Sequence, residues 1–173
     1  MKSKLRLLTA VMALLVVAAP SVPAAAAGWE SGVSTVSVSA PAAPSSSASV
    51  YRSEVLRLIN QQRARQGLNP LTETAAMDRI ASVRASEAAV QFSHVRPNGT
   101  SPASLFTQNG IVYSTAGENL GRGYASPASI VSAWMNSAEH RSNSLKAPFR
   151  YTGIGVYTAP DGTVTVAQLF YGA

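Results

Sequence analysis

The sequence predicts an α+β fold in which helices come first along the chain and a β-hairpin comes last. Three observations support this. Apolar residues recur at helical spacing between positions 53 and 90, two Ser-Pro pairs begin further helices, and two β-rich runs near the end flank a Pro-Asp-Gly turn. Helices grouped before a hairpin favour α+β layers over an alternating, parallel α/β sheet.

The first predicted helix covers residues 53–66, where Val55, Leu58 and Ile59 lie at helical spacing among polar residues. Its first residue is a serine, a suitable N-cap. Gly67 ends it, because glycine readily adopts the left-handed conformation that follows many helices.

The second predicted helix runs from about position 72 to about position 90 and leads the chain to His94. Met77, Ile80 and Val83 are expected to face the core. The charged residues of this helix are expected to lie largely outward: Asp78, Arg79, Arg84 and Glu87.

Two further helices are predicted at 102–109 and 127–137. Each begins with a serine N-cap followed by proline at the first helical position, where the missing N–H does no harm. The later helix has an apolar stripe that we interpret as core: Ile130, Val131 and Trp134. The final hairpin has strands at 153–158 and 163–171, joined by the turn at 160–162.

Residues 1–27 have the pattern of a secretory signal peptide. Three basic residues near the N-terminus precede an uncharged apolar run from Leu7 to Ala19 and an alanine-rich stretch with a cleavage site after Ala27. The apolar run is too short to span a membrane. We therefore expect a secreted protein, extracellular or associated with the cell envelope, that is not an integral membrane protein after cleavage.

The remaining chain divides into a linker at residues 28–50 and one domain at residues 51–173. Residues 31–50 are rich in Ser, Ala and Pro and carry no charge, a composition that offers little apolar surface to bury. The chain has no cysteine, so disulfide-stapled folds and thiolate metal sites are excluded and stability must come from a packed core.

The basic charge does not indicate nucleic-acid binding. Three of the 14 Lys and Arg residues, and none of the eight Asp and Glu residues, lie in the predicted signal peptide, so the rest of the chain has a net charge of +3 instead of +6. Its arginines are spread from Arg52 to Arg150 instead of clustering on one face. We expect no nucleic-acid partner.

The chain's only two histidines, His94 and His140, each lie in a short polar motif, and Glu118 lies in a third motif between them. Two imidazoles and a carboxylate are typical of a divalent-metal or acid/base site. Glu118 is either a third metal ligand or a residue that orients a histidine or activates a bound water. The alternative is a hydrogen-bonded polar cluster that only fixes the loops.

In this order, the motifs of residues 51–173 resemble those of the CAP superfamily, in its bacterial secreted form. That superfamily includes cysteine-rich secretory proteins (with the SCP domain), antigen-five allergens and plant pathogenesis-related proteins. The motifs are Leu58-Ile59-Asn60-Gln61-Gln62-Arg63, Phe92-Ser93-His94, Gly117-Glu118-Asn119-Leu120, Trp134-Met135-Asn136-Ser137 followed by His140-Arg141 and Asn143, and Gly153-Ile154-Gly155-Val156. The resemblance implies an α-β-α sandwich with a small antiparallel sheet between helical layers. It also implies a cleft whose two histidines and two glutamates bind a divalent cation, with zinc as the expected metal.

By motif, His94 and His140 match the two histidines of that cleft and Glu118 its first glutamate. The position of the second glutamate, three residues after the tryptophan, is Ser137 here, and Glu139 lies two residues further on. We expect Asn119, Ser137 and Glu139 to line the cleft. Asn119 has the alternative of hydrogen-bonding backbone at a strand end.

The preferred function is a secreted binding or interaction module, not an enzyme, because the tetrad is incomplete. Its cleft is expected to hold a divalent metal and an apolar or envelope-derived ligand, since the resemblance implies binding of lipids and sterols. The alternative is a metal-assisted, peptidase-like hydrolase with zinc on His94 and His140 and Glu118 as general base. A serine hydrolase is not expected, because the Gly-x-Ser-x-Gly motif is missing. A purely structural envelope protein is the third interpretation.

Overall fold

The computed structural model describes residues 46–173. The predicted signal peptide and residues 28–45 of the predicted linker lie outside the described residues. Within the described part, the helices and strands follow in the order α1 (Ser46–Arg65), β1 (Thr72–Glu73), α2 (Ala75–Val90), α3 (Ser104–Gln108), β2 (Thr115–Arg122), α4 (Pro127–Asn136), α5 (Ala138–Ser144), β3 (Tyr151–Thr158) and β4 (Val164–Gly172). No helix among these residues is both long enough and apolar enough to cross a membrane.

The strands form one sheet in the order β1-β3-β4-β2. β4 pairs antiparallel with both β2 and β3, whereas the two-residue strand β1 pairs parallel with β3. The α+β class is therefore confirmed, but the sheet is mixed, because β1 comes from the short connection between two helices and not from a hairpin. β2 lies at one edge of the sheet, where the candidate site is found.

Helices cover both faces of the sheet, as the alternation of side chains along β4 shows. Val166 and Phe170 pack into a cluster with residues of α1 and α4. Leu169 packs with residues of α2 and α3, and Ala167 packs with α2. Because successive side chains of a strand point to opposite faces, these contacts establish the α-β-α sandwich.

Glycines of β3 allow α2 to lie directly on the sheet. A Cβ atom at Gly153 would lie 2.2 Å from the backbone carbonyl of Met77, and one at Gly155 would lie 1.9 Å from the carbonyl oxygen of Ala81. Neither distance is compatible with a side chain, and helix backbone cannot move aside as the end of a flexible side chain can. These glycines set the close approach of α2 to β3.

The N-terminal boundary of the domain differs from the prediction. α1 begins at Ser46, so residues 46–50 are helical and belong to α1, and Ser53 is not an N-cap. The last proline of the linker is Pro44, so no proline interrupts the helix after it. Tyr51 packs against the core cluster formed by α1, α4 and the sheet, which stabilises the added turn.

The side of α2 that faces the core also differs from the prediction. Met77 and Ile80 are buried as expected, but Val83 is 47% exposed and Arg84 is fully buried. The buried residues of α2 form one stripe at three- and four-residue spacing: Met77, Ile80, Ala81, Arg84, Ala85 and Ala88. Arg84 lies on this stripe and Val83 lies beside it, so helical geometry overrides the polarity of the two side chains.

The remaining elements are close to the prediction. α4 begins at Pro127 after Ser126, whose side chain accepts a hydrogen bond from Ser129 in a capping box. The hairpin turn is closed by a bond from Ala159 N to Thr163 O of 2.9 Å. α3 begins at Ser104 after Ala103, which makes no side-chain cap bond, so the predicted N-cap at Ser101 is wrong. α2 begins at Ala75, after the N-cap Thr74, and not at position 72. α5 was not predicted, since its sequence lacks an apolar stripe.

Candidate functional site

A cavity of about 330 Å³ lies beside the edge strand β2. His94, residues 101–103 and Phe106 form its wall on the side of α2 and α3. Residues 116–118 of β2 form its base, and Glu139, His140 and Asn143 of α5 form the opposite wall. The structure therefore brings His94, Glu118 and His140 to one cavity across the edge of the sheet.

Glu118 is the buried centre of this group, with a side chain only 6% exposed. Its Oε1 lies 2.7 Å from His94 Nδ1, and its Oε2 lies 2.6 Å from Arg84 Nε. A second contact joins Arg84 Nη2 to Oε1 at 3.3 Å. Oε1 therefore accepts hydrogen bonds from His94 and Arg84, whereas Oε2 is buried in a close ion pair with Arg84 and has no hydrogen-bond partner among the described residues.

Arg84 is the functional residue that the sequence analysis missed. Its guanidinium is fully buried, pairs with Glu118 and also donates to the carbonyl of Ser93, next to His94. Arg141, which follows His140 in its motif, donates to the Met135 carbonyl at 3.2 Å. The feature of the sequence that could have identified Arg84 is the position of an arginine on the apolar stripe of α2.

A second buried arginine holds the loop that carries His94. Arg96 donates to both oxygens of Glu87, from Nη2 to Oε1 at 2.7 Å and from Nε to Oε2 at 3.0 Å. It also donates to Ser104 Oγ at 2.8 Å, which ties the loop to α3. Glu87 lies one turn after Arg84 in α2, so α2 holds the loop at two points, through Arg84 with the Ser93 carbonyl and through Glu87 with Arg96.

Hydrogen bonds from β2 fix α5, which carries His140. Asn119 Nδ2 donates to the His140 carbonyl at 3.1 Å and to Ser144 Oγ at 3.0 Å. Asn143 Nδ2 donates to the Glu118 carbonyl at 2.9 Å and to Asn119 Oδ1 at 3.1 Å. These bonds replace the apolar stripe that α5 lacks.

Two of the three residues expected to line the cleft lie elsewhere. Asn119 is fully buried beneath α5 and donates to the His140 carbonyl, so it bonds backbone as the alternative proposed, but from the middle of β2 and not at a strand end. Ser137 is the N-cap of α5 and accepts from His140 N at 3.5 Å. Glu139 does line the cavity. Asn119 points to the opposite face of β2 from Glu118, because adjacent strand residues alternate.

The environment of His140 favours its neutral form. Burial lowers the pKa of His140, the positive charge of His94 lowers it further, and Glu139 partly opposes both effects. The ring also lies 6.5 Å from that of Trp134, at the buried centre of α4. A neutral imidazole can accept a proton or bind a metal ion.

The chemistry of the donors limits how a metal ion could bind. Among residues 46–173, no group of three or more His, Asp and Glu side chains is placed to hold a metal ion. Because a carboxylate only accepts, Nδ1 of His94 carries the proton that Glu118 binds, which leaves Nε2 as the donor nitrogen. The side chains that suit a metal ion are therefore the two imidazoles. Glu118 lies behind His94 and orients its ring.

Comparison with known proteins agrees with the fold and the motifs. The uncharacterized protein YkwD of Bacillus subtilis (strain 168) is 38% identical over 112 residues, which are 64% of this chain and 44% of YkwD. An extracellular protein containing a SCP domain from Bacillus anthracis str. Ames has a TM-score of 0.67 at 24% identity, over 78% of this chain and 45% of that one. An outer surface protein of Borrelia burgdorferi has a TM-score of 0.63 at 20% identity, over 68% of this chain and 89% of that one.

The similarity covers one domain of longer relatives and identifies the family. The chain spans less than half the length of YkwD and of the Bacillus anthracis protein. Its structural neighbours include extracellular and surface proteins. The profile of CAP, the Cysteine-rich secretory protein family, matches residues 56–171, which include the histidines, Glu118 and the whole sheet except its last residue. The chain belongs to the CAP (cysteine-rich secretory protein) family.

Proposed function

We propose that this protein is a secreted CAP binding module whose cavity beside β2 takes a divalent cation and a ligand with an apolar part. The observation that carries the proposal is that His94 and His140 line one cavity from opposite sides of β2. Secretion rests on the predicted signal peptide at residues 1–27, and a location outside the cell or at the envelope accords with the extracellular and surface relatives.

The cation would bind to Nε2 of His94 and to the ring of His140, with zinc as the metal that suits imidazole ligands. Glu118 would hold the ring of His94 through Nδ1, as carboxylates do behind many metal-binding histidines. The lowered pKa of His140 favours the neutral ring that a metal ion requires. Solvent or the ligand itself would complete the coordination.

The two walls of the cavity differ in polarity, and this supports a ligand with an apolar part. Pro102, Ala103 and Phe106 line one side together with His94 and Ser101, whereas the other side is lined only by polar residues, Glu139, His140 and Asn143. Small-molecule sites commonly combine an apolar wall with a few convergent polar groups. An envelope-derived ligand, including a lipid, fits this description.

The hydrolase alternative has less support from the geometry. A general base must direct a free lone pair toward the water that it activates. Oε1 of Glu118 already accepts from His94 and Arg84, and Oε2 is buried from solvent in the ion pair with the Arg84 guanidinium. Glu118 is therefore better suited to orient His94 than to accept a proton.

Calorimetric titration with ZnCl₂ tests the cation site. We expect binding to be lost in His94→Ala and in His140→Ala, and weakened about 10- to 100-fold in Glu118→Gln. Glu54→Gln, on the exposed face of α1, is the control and keeps wild-type affinity. Unchanged zinc affinity in both histidine variants would overturn the cation site. Hydrolysis of a peptide substrate that EDTA and Glu118→Gln both abolish would replace the binding module with the hydrolase.

A further inference from the structure

We infer that the edge of β2 inside the cavity binds a short extended peptide segment, which adds to the sheet as a strand. This inference names the class of ligand for the cavity, and so rests on its proposed role as a binding module. It does not require the cation. The evidence lies in the backbone groups that β2 presents on the side away from β4.

The register of β2 determines which backbone groups face the free edge. In an antiparallel pair, alternate residues direct their N–H and C=O groups toward the partner strand. Gly123 N donates to Val164 O at 2.9 Å, and its position continues the pairing of β2 with β4. The carbonyls of Glu118 and Leu120, in contrast, accept from side chains outside the sheet. Residues 116, 118, 120 and 122 therefore face away from β4.

The protein covers part of this edge itself. Trp134 Nε1 donates to the Leu120 carbonyl at 3.0 Å, and Asn143 Nδ2 donates to the Glu118 carbonyl at 2.9 Å. Covering an edge in this way prevents unwanted pairing with another strand. These two bonds cover the carbonyls of Leu120 and Glu118, and the cavity begins at Glu118.

Three edge groups inside the cavity have no such cover. Within residues 46–173, no group hydrogen-bonds the N–H or the C=O of Ala116, or the N–H of Glu118, from the edge side. Residues 116–118 line the cavity. Two donors and one acceptor in a row, at strand spacing, match the backbone of an extended peptide and not a hydrocarbon chain.

The walls of the cavity predict which side chains the peptide presents. Side chains of an added strand would alternate between the two faces of the sheet. Those beside Ala116 would meet Pro102 and Phe106, which favours an apolar residue. The one beside Gly117 would point toward the α5 side, where Asn143 Oδ1 already lies 3.2 Å from a Cβ built on Gly117, which favours a small residue. An apolar-small-apolar segment of about three residues fits this edge.

An amide-detected NMR titration of the protein tests the inference, with the capped tripeptide Ac-Leu-Ala-Leu-NH2 as the probe and EDTA present. We expect saturable shifts of the Ala116 and Glu118 amides. The matched control is the same tripeptide with every backbone amide N-methylated, which keeps the side chains but removes the donors. We expect it to bind at least tenfold more weakly. Equal affinity of the two peptides, or no shifts up to the solubility limit, would overturn the inference.

Substitution at Ala116 provides a second test on the protein side. Ala116→Pro removes an edge N–H without removing a bond to β4, and proline is tolerated at such edge positions. We expect about fivefold weaker binding of Ac-Leu-Ala-Leu-NH2, the effect of about one backbone hydrogen bond. Glu54→Gln, on α1 and outside the cavity lining, is the control and should bind as wild type. Wild-type affinity in Ala116→Pro would overturn the role of this edge, and if that variant fails to fold, the N-methylated peptide decides.

The cation site and the peptide site fail in different ways. Because the peptide titration contains EDTA, peptide binding without zinc binding would remove the cation from the proposed function and leave this inference intact. Zinc binding without peptide binding would keep the cation in the proposed function and overturn the peptide inference.

Discussion

Arg84 Nε lies 2.6 Å from Glu118 Oε2, and the two side chains are 0% and 6% exposed. This ion pair joins α2 to the edge strand beneath the cavity. Arg84 therefore neutralises the carboxylate that orients His94. Since the attraction between charges is strong where water is excluded, removing either partner leaves an uncompensated buried charge.

Arg84→Met should lower the free energy of unfolding by about 3–5 kcal/mol, because Glu118 then loses its buried cationic partner and keeps only the contact with His94. Urea denaturation monitored by circular dichroism measures the change. The double variant with Arg84→Met and Glu118→Met should recover most of the loss, since apolar residues of similar size replace a buried pair at little cost. Arg57→Ala, which breaks the exposed Arg57–Glu54 pair, is the control and should leave stability unchanged. A double variant as unstable as the single one would contradict the ion-pair argument.

Protonation of His140 should destabilise the fold at acidic pH. Burial and the charge of His94 lower its pKa in the folded state, so the unfolded chain binds more protons below the ordinary value of 6.5. The stability contributed by this group is complete above pH 6.5 and decreases as pH falls through the lowered pKa. His140→Gln should reduce the difference in urea midpoint between about pH 7.5 and about pH 5.5, which lie on either side of the ordinary histidine pKa.

The charges beside His140 should shift its pKa by an amount that NMR can measure. His94→Gln removes the neighbouring positive charge, so the pKa of His140 should rise toward its ordinary value, as followed by its ring proton. Glu139→Gln should have the opposite effect, because Glu139 raises the pKa of His140. An unchanged pKa in both variants would show that the charges lining the cavity do not act on His140.

Glu73, at the opposite edge of the sheet, should produce the reverse pH dependence. Burial, followed by a hydrogen bond with Asp78 and the charge of Asp78, raises its pKa from 4.5 to about 7, while Arg52 opposes the increase. Arg52 Nε lies 3.5 Å from Glu73 Oε1. The folded state favours protonated Glu73, so its contribution is complete below pH 4.5 and is lost as pH rises through about 7.

Glu73→Gln should therefore remove a loss of stability between pH 4.5 and pH 7, measured as urea midpoints across this range. Glu54→Gln is the matched control, because Arg57 lowers the pKa of Glu54. Glu54→Gln should lose stability between pH 4.5 and pH 7 as wild type does. A pH profile that is the same for Glu73→Gln and wild type would contradict the prediction.

Gly155→Ala should destabilise the protein by about 1–3 kcal/mol or more, since its Cβ would overlap the backbone of α2 at Ala81. Gly121→Ala is the control, and it should destabilise the protein less. Its Cβ would meet the Cδ1 of Ile130 at 2.4 Å, and the end of a flexible side chain can move aside. Thermal denaturation should therefore rank Gly155→Ala well below Gly121→Ala, and equal stabilities would show that α2 can shift.

Local chemistry made much of the fold predictable. The Ser126-Pro127 pair began α4 as predicted, and the turn at 160–162 closed the hairpin, since both depend on residues that are close in sequence. β2 was not predicted, because Gly117, Glu118 and Asn119 break the apolar alternation that marks a strand. Its strand conformation comes from pairing with β4, which is distant in sequence.

The sequence by itself determined the α+β class, the family motifs and the three residues of the site, His94, Glu118 and His140, because each is encoded by residue type and order along the chain. The tertiary structure alone decided the partner of Glu118 and the roles of Asn119 and Ser137. The physical reason is burial: Arg84 carries a charge that is stable on the core side of α2 only because folding places Glu118 beside it. The sequence of α2 cannot identify Glu118 as the partner of Arg84, because Glu118 lies on β2 and contacts Arg84 only when the sheet packs against the helix.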